Sequence, residues 1–244
     1  MNKPLIWAHR GASGYAPENT LIAFQKAVDL KADGVELDVQ RSKDGVLVVC
    51  HDETIDRTSD GKGWIQDLTF EELRSYNFNT RFKEFGNQKI PTFEEVLNLL
   101  KPTGLTINIE LKTGVLFYPG IEKEVVEMVH ACGMEEHVVY SSFNHASCLK
   151  VRECNPNAYL GFLNRDGFIG YEEYAKAHGV QAIHPPIYHL QYPDVIADCK
   201  RLGLDINVWA VDEEKYMRMC IEMGVHAIIT NYPDVARKVL KEYE

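Results

Sequence analysis

Four short stretches of this 244-residue chain hold almost all of its plausible chemistry: Ala8-His9-Arg10-Gly11, Glu36-Leu37-Asp38-Val39, Cys50-His51-Asp52 and Ile109-Glu110-Leu111-Lys112. Each lies where an apolar, strand-like run gives way to a loop. Carboxylates and imidazoles at strand ends are costly unless something pairs them. A divalent cation held by Glu36, Asp38 and Glu110, with His9 and His51 as proton carriers, is the simplest arrangement that pairs them all. Three hard oxygen ligands suit Mg²⁺ or Ca²⁺ rather than a thiolate-seeking metal. Histidine titrates near neutrality, so either imidazole can give or take a proton. Arg10 offers a planar fork to a phosphate, and Lys112 a second, point-like positive charge. Lewis-acid, acid–base and anion-binding groups together make a phosphodiester the most natural substrate.

The elements that must position these residues follow from the hydrophobic pattern. Strand-like runs occur at 5–8, 34–39, 46–50, 105–111, 137–142, 158–163, 181–184, 205–211 and 226–229, most of them followed by a helical stretch. Thr92-Phe93-Glu94-Glu95 and Thr69-Phe70-Glu71-Glu72 read as helix starts with capping boxes. Asn144, Asp212 and Asn231 stand where N-caps are expected. Sustained βα alternation over this length predicts an α/β fold, a (β/α)8 TIM barrel in a single catalytic domain spanning 1–244.

The third run cannot be a parallel stave, because only Arg41 to Gly45 separates it from the second and a parallel crossover needs a dozen residues or more. Asp44-Gly45 is a hairpin signal, so 46–51 is expected to fold back on 34–41. Pairing Arg41 with Val46 would set His51 opposite Glu36. The stretch 53–90 breaks the rhythm and is expected to form an insertion over the barrel mouth, distorting the barrel after the hairpin.

Composition excludes several classes. A formal charge of −10 with no basic face argues against nucleic acid and against constitutive anchoring to an anionic membrane, and no stable membrane association is expected. No run of about 18 apolar residues is present, and the N-terminus lacks the pattern of a secretory signal, which predicts a cytoplasmic protein. Six scattered cysteines, none in a CxxC pair, read as reduced thiols. Oligomeric state is not encoded in any pattern.

His9-Arg10-Gly11, Pro17-Glu18-Asn19-Thr20, Glu36-Leu37-Asp38-Val39 and His51-Asp52 together resemble the signatures of the glycerophosphodiester phosphodiesterase family, in its short bacterial, cytoplasmic form. Asp56-Arg57-Thr58, Pro91 to Glu95, Glu110-Leu111-Lys112 and Thr230 to Asp234 extend the resemblance to the C-terminus. The resemblance implies a distorted TIM barrel and metal-dependent hydrolysis of glycerophosphodiesters, the deacylated phospholipids, to sn-glycerol 3-phosphate and an alcohol. It also implies metal ligation by Glu36, Asp38 and Glu110, acid–base work by His9 and His51, and phosphate contacts from Arg10 and Lys112. Trp209 matches a family tryptophan at the barrel mouth and becomes a candidate substrate contact. Asn231 stands where the family often has Asp and is read as a capping variant; Glu18 and Asn19 either support Arg10 or cap the first helix.

Two other readings share the residues. The same site could act on larger lipid phosphodiesters, in a lysophospholipase D-like or cyclising reaction, with Trp64, Phe78, Phe82, Phe117, Tyr118 or Phe143 meeting an acyl chain. A Schiff-base aldolase could use Lys112, although Glu110 on the same strand face would raise the pKa that such a lysine needs lowered. A catalytically inactive binding barrel is disfavoured by the full set of histidines and carboxylates.

Overall fold

Nine strands and nine helices alternate along residues 3–244, the span described by this computed structural model. Eight parallel strands close into a barrel: β1 (Leu5–His9), β2 (Gly34–Arg41), β4 (Thr106–Leu111), β5 (Val138–Ser142), β6 (Tyr159–Leu163), β7 (Ala182–His184), β8 (Asp205–Val208) and β9 (Ala227–Thr230). Closure comes from β1, which pairs in parallel with both β9 and β2. The chain therefore folds as the expected TIM barrel, with every parallel stave within a few residues of its expected bounds.

Outside the barrel run α1 (Leu21–Asp29), α3 (Phe93–Leu100), α4 (Ile121–Cys132), α5 (His145–Cys154), α6 (Tyr171–Ala177), α7 (Val195–Leu202), α8 (Glu214–Met223) and α9 (Pro233–Lys241). Helix α3 shows why they form. Phe93, Val96, Leu97 and Leu100 are buried at i, i+3, i+4 and i+7, one stripe against the sheet. The capping box at its start is complete, since Thr92 accepts from the Glu95 amide while Glu95 accepts from the Thr92 amide. Each such fully buried aliphatic or aromatic side chain contributes about 1.5–3 kcal/mol.

Strand alternation sorts side chains between two cores. Ile6, Ala8, Val35, Leu37, Ile107 and Ile109 face outward into the helix layer. Trp7, Val139, Ala227 and Ile229 pack together inside the barrel. His184 also fills the interior, and Gly161 on the adjacent strand makes room for it, because a Cβ there would sit 2.1 Å from His184 Nε2. Towards the C-terminal ends of the strands the interior becomes polar.

The hairpin forms, with a register one residue from the expected one. Strand β3 (Leu47–Val49) is antiparallel to β2 with Arg41 opposite Leu47, which carries the ladder on to His51 opposite Leu37 instead of Glu36. The cause is the turn. Ser42 bonds the Val46 carbonyl, leaving a three-residue loop, Lys43-Asp44-Gly45, with Gly45 at φ +89°. His51 nevertheless returns to the site because the ladder stops at Val49. The Gln40 amide donates to the carbonyls of Cys50 (2.8 Å) and Asp52 (2.7 Å), turning the chain inward.

Residues 53–90 carry α2 (Phe70–Ser75) and two short 3-10 turns. Ile55, Ile65, Leu73, Phe78 and Ile90 cluster against Val48 and Cys50 of the hairpin, separately from the barrel cores. Arg74 of α2 grips Glu95 of α3 through two 3.0 Å hydrogen bonds. Two expected N-caps are corrected: α8 starts after Glu213 and α9 after Tyr232, so Asp212 and Asn231 lie outside both helices and serve the site instead. Among the described residues no helix is long and apolar enough to cross a membrane.

Candidate active site

Parallel register places the carboxylates. Glu36 pairs with Asn108 and Asp38 with Glu110, so the inward faces of β2 and β4 form a square with acids at three corners. One oxygen from each of Glu36, Asp38 and Glu110 lies within 4.8 Å of the other two, and all three residues are buried. Burial, then repulsion from Asp38 and Glu110, raises the Glu36 pKa well above the usual carboxylate range. Burial alone would raise Asp38 too, but His51, Lys112 and Arg10 outweigh it and hold Asp38 down to about 2. Asp38 Oδ1 is buried without a hydrogen-bond partner. An unpartnered oxygen beside a carboxylate that resists ionising is what a site built for a hard cation presents when only protein atoms are counted.

Two cations lean on this cluster. Lys112 Nζ donates to Glu110 at 2.9 Å and stands 3.7 Å from Asp38. Burial would lower its pKa, yet Glu110 and Asp38 raise it, so Lys112 stays protonated and cannot serve as a Schiff-base amine. Arg10 lies in a turn of left-handed backbone, φ +55°, followed by Gly11 at φ +76°. A Cβ on Gly11 would sit 2.6 Å from the Ala23 backbone, so only glycine fits. The conformation costs Arg10 about 1–3 kcal/mol. It aims the Arg10 amide at Glu36 (2.9 Å) and its guanidinium at Glu18 (2.9 Å) and Asp38 (3.6 Å). Asn19, also left-handed at φ +56°, donates to Asp38 at 2.8 Å.

The two histidines are oriented by the same device. His51 Nδ1 meets Asp52 at 2.6 Å, and His9 Nδ1 meets Asn231 Oδ1 at 2.8 Å. Asn231 can only accept there, because its amide nitrogen donates to Asp212 at 2.6 Å. Both Nδ1 atoms therefore carry a hydrogen and both Nε2 atoms are left for the site. His9 Nε2 stands 4.0 Å from Glu36. Burial, then the Arg10 charge, lowers the His9 pKa to about 4.

A cavity of about 140 Å³ opens among these groups, bounded by His9, Arg10, Glu36, His51, Asn108 and Glu110 on one side. Phe143, Leu163, Arg165 and Trp209 form the other wall, with the Phe143 and Trp209 rings edge-to-face at 5.7 Å. Of the metal, acid–base and substrate-contact residues expected from sequence, Asp38 and Lys112 do not border the cavity, and of the six aromatic residues considered for an acyl chain only Phe143 does. Sequence reasoning missed Asn108, Gln40 and Arg165, and took Asp212 and Asn231 for caps. Strand parity could have found the first two, since Asn108 is two residues before Glu110 and Gln40 two after Asp38. Arg57 was quoted only for its motif. It donates to Asp52 (2.7 and 2.9 Å) and Glu18 (2.6 and 2.8 Å), joining the partner of His51 to the partner of Arg10.

The whole chain, and not the site alone, has counterparts among known proteins. The model of the glycerophosphoryl diester phosphodiesterase family matches residues 9–235, nearly the whole chain. The chain belongs to this family. As a glycerophosphodiester phosphodiesterase it is an enzyme, a phosphoric diester hydrolase. It is 39% identical over 241 residues to a glycerophosphodiester phosphodiesterase of Caldanaerobacter subterraneus, covering 98% of this chain and 99% of that one. A namesake from Bacillus altitudinis is 38% identical, with 97% and 98% covered. Among solved structures, a glycerophosphodiester phosphodiesterase from Parabacteroides distasonis superposes with a TM-score of 0.84 at 30% identity, covering 99% and 98% of the two chains. A phosphodiesterase from Oleispira antarctica, solved in complex with the product sn-glycerol-3-phosphate, has a TM-score of 0.86 at 25% identity, covering 98% and 97%.

Proposed function

We infer that this phosphodiesterase hydrolyses small glycerophosphodiesters to sn-glycerol 3-phosphate and an alcohol, using a divalent cation and two histidines. The observation that carries the reading is the pair of imidazoles, each tied through Nδ1, that border one cavity together with the buried carboxylates Glu36 and Glu110. The product named for the Oleispira antarctica structure supports the choice of glycerol phosphate. Glu36, Asp38 and Glu110 would hold Mg²⁺ or Ca²⁺. When bound, the ion neutralises the acid cluster and polarises a phosphate oxygen.

The protein's own groups divide the remaining work. Arg10, held in place by Glu18 and Glu36, binds phosphate oxygens. Lys112 helps to keep Asp38 ionised and fixes Glu110 through its 2.9 Å hydrogen bond. One of His9 and His51 takes the proton of the attacking hydroxyl at Nε2, and the other gives a proton to the leaving alkoxide. Trp209 and Phe143 wall the side where the rest of the substrate lies and exclude water there. The segment 53–90 belongs to the catalytic mouth, since its Arg57 anchors Asp52 and Glu18. The enzyme is expected to work in the cytoplasm on soluble deacylated lipids.

A specific observation favours a cyclic intermediate. Among the described residues bordering the cavity there is no Ser, Thr or Cys. Ser13, the nearest hydroxyl in sequence to His9, donates to the His9 carbonyl and contacts Asn231. The glycerol hydroxyl adjacent to the phosphodiester is then the best-placed nucleophile, with the proximity advantage of an intramolecular group. A coupled assay for glycerol 3-phosphate release from glycerophosphocholine and glycerophosphoethanolamine, with Mg²⁺, Ca²⁺ or EDTA, tests the activity. Release undiminished by EDTA would refute the metal role. A substrate with that hydroxyl replaced by hydrogen, hydrolysed at the parent's rate, would eliminate the cyclic route.

A further inference from the structure

Two arginines border the catalytic cavity, one on each wall, and they differ in what already holds them. Arg10, on the acid side, is engaged by Glu18 at 2.9 Å and Asp38 at 3.6 Å. Arg165, beside Phe143, Leu163 and Trp209, is exposed, and among the described residues no carboxylate oxygen lies within 4.0 Å of its guanidinium. Its backbone, by contrast, is tied down. The Tyr188 hydroxyl donates to the Arg165 carbonyl at 2.8 Å, and the amide nitrogen of buried Asn164 donates to the Asp166 carbonyl at 3.2 Å. These bonds hold the turn after β6 and leave the Arg165 side chain uncommitted. A fixed stem carrying an unpaired planar fork suits recognition of an anion, because little backbone freedom is lost when the anion arrives.

The rest of that wall narrows what the anion belongs to. The side chains of Phe143 and Leu163 offer no polar atom, and the Trp209 indole N–H already donates to the His184 carbonyl at 2.6 Å. Polar recognition on this side therefore falls to the Arg165 side chain. On the phosphodiester reading, the reacting phosphate is held at the opposite wall by Arg10 and the cation of the acid cluster. The cavity is only about 140 Å³, so the alcohol attached to that phosphate reaches the Arg165 wall within a few bonds. An ammonium on the alcohol would be drawn to the Trp209 ring but repelled by Arg165, whereas a carboxylate or phosphate monoester would form a charge-assisted pair. In a chain of net charge −10, an unpaired arginine at the cavity also offsets the repulsion that a doubly charged substrate otherwise meets.

We propose that Arg165 selects phosphodiesters whose leaving alcohol carries a second anionic group, a carboxylate or a phosphate monoester, over those whose alcohol carries none. The proposal rests on the phosphodiester reading of the cavity and names the substrate class within it. Arg165 acts on the alcohol portion and takes no part in proton transfer. Its effect therefore lies in the ratio of kcat/KM between substrates and not in the chemistry that they share.

Matched pairs of substrates isolate the second anion. Glycerophosphoserine differs from glycerophosphoethanolamine by one carboxylate, and glycerophosphoglycerophosphate differs from glycerophosphoglycerol by one phosphate monoester. The intact protein is expected to favour the anionic member of each pair by roughly fivefold or more in kcat/KM, an advantage that should shrink in about 0.5 M NaCl. R165Q should bring both ratios close to one, R165K should keep part of them, and R165E should invert them. A preference confined to one pair supports the proposal and assigns the anion to that source. Ratios near one in the parent overturn it. So does an R165Q protein that loses the same factor on all four substrates, which would place Arg165 on the phosphate or glycerol they share. If none of the four is hydrolysed, the catalytic reading falls, and titration calorimetry with the same pairs in Mg²⁺ decides the role of Arg165. Tighter binding of the anionic members by the parent than by R165Q upholds it, and equal binding overturns it.

Discussion

Replacing Arg57 by Ala removes the one side chain that joins the supports of His51 and Arg10. Its guanidinium makes four hydrogen bonds of 2.6–2.9 Å, two to Asp52 and two to Glu18. Hydrogen bonds from His51, then Arg57, hold Asp52 well below the carboxylate range; Glu18, which burial would raise, is lowered by Arg57 and Arg10. Without Arg57 each acid loses two of its three side-chain hydrogen bonds, leaving Asp52 with His51 and Glu18 with Arg10. Because the Arg57 side chain is 49% exposed, water replaces much of the interaction, and the stability loss should be only about 1–2 kcal/mol. Catalysis is more sensitive than stability, since small misplacements of reacting groups cost up to about 10²-fold. We expect kcat to fall roughly 10- to 100-fold as His51 loses its orientation, and KM to rise as Arg10 loosens. R57K should recover part of this, because an ammonium restores charge but cannot hold two carboxylates in a planar fork. Added guanidinium ion should restore turnover to R57A. The assay is glycerol 3-phosphate release alongside thermal melting. R57A with kcat/KM within about threefold of the parent, at unchanged melting temperature, would refute the positioning argument.

Replacing Glu36 by Gln should stabilise the metal-free protein, and more at pH 8 than at pH 5. A carboxyl whose folded pKa is raised contributes stability that is present below about 4.3 and lost as pH climbs through the folded value. The same E36Q protein should lose the rise in melting temperature that Mg²⁺ or Ca²⁺ gives the parent, as titration calorimetry would also report. His9 and His184, lowered by burial to about 4 and about 3, are neutral in the fold. Their contribution is present above about 6.5 and should be lost as acid brings the pH towards 4, read as a falling melting temperature in that window. N231L should lower kcat about tenfold or more by releasing the His9 ring, whereas N231D, which keeps an acceptor for Nδ1, should retain activity and raise the His9 pKa in a ¹³C NMR titration. K112M should weaken binding of divalent ions less than E110Q does, because it removes a brace and not a ligand oxygen; equal losses by calorimetry would make Lys112 indispensable to the cluster.

The fold was legible in the sequence because its signal is periodic and local. Runs of Val, Ile and Leu alternate with capped amphipathic stretches along the chain, interrupted only by the stretch 53–90. That these carboxylates and histidines would gather in one place was equally legible, since Glu36 and Asp38 share a strand face by parity and chemistry-bearing residues in a parallel barrel gather at strand ends. Tertiary structure alone decided how those residues are held. The hairpin register turned on whether its loop has two residues or three, a difference set by Ser42 and the backbone of Gly45. Asn231 and Asp212 looked like helix caps because Asn and Asp next to helix starts usually are. Only the closing of β9 beside β1 brings Asn231, 222 residues away, against His9. Arg57, likewise, is an ordinary exposed arginine until the insertion folds back and places it between two carboxylates. Local pattern specifies which residues face inward; the contacts that choose a tautomer, fix a rotamer or leave an oxygen unpartnered join positions far apart in the chain, and only closure of the barrel creates them.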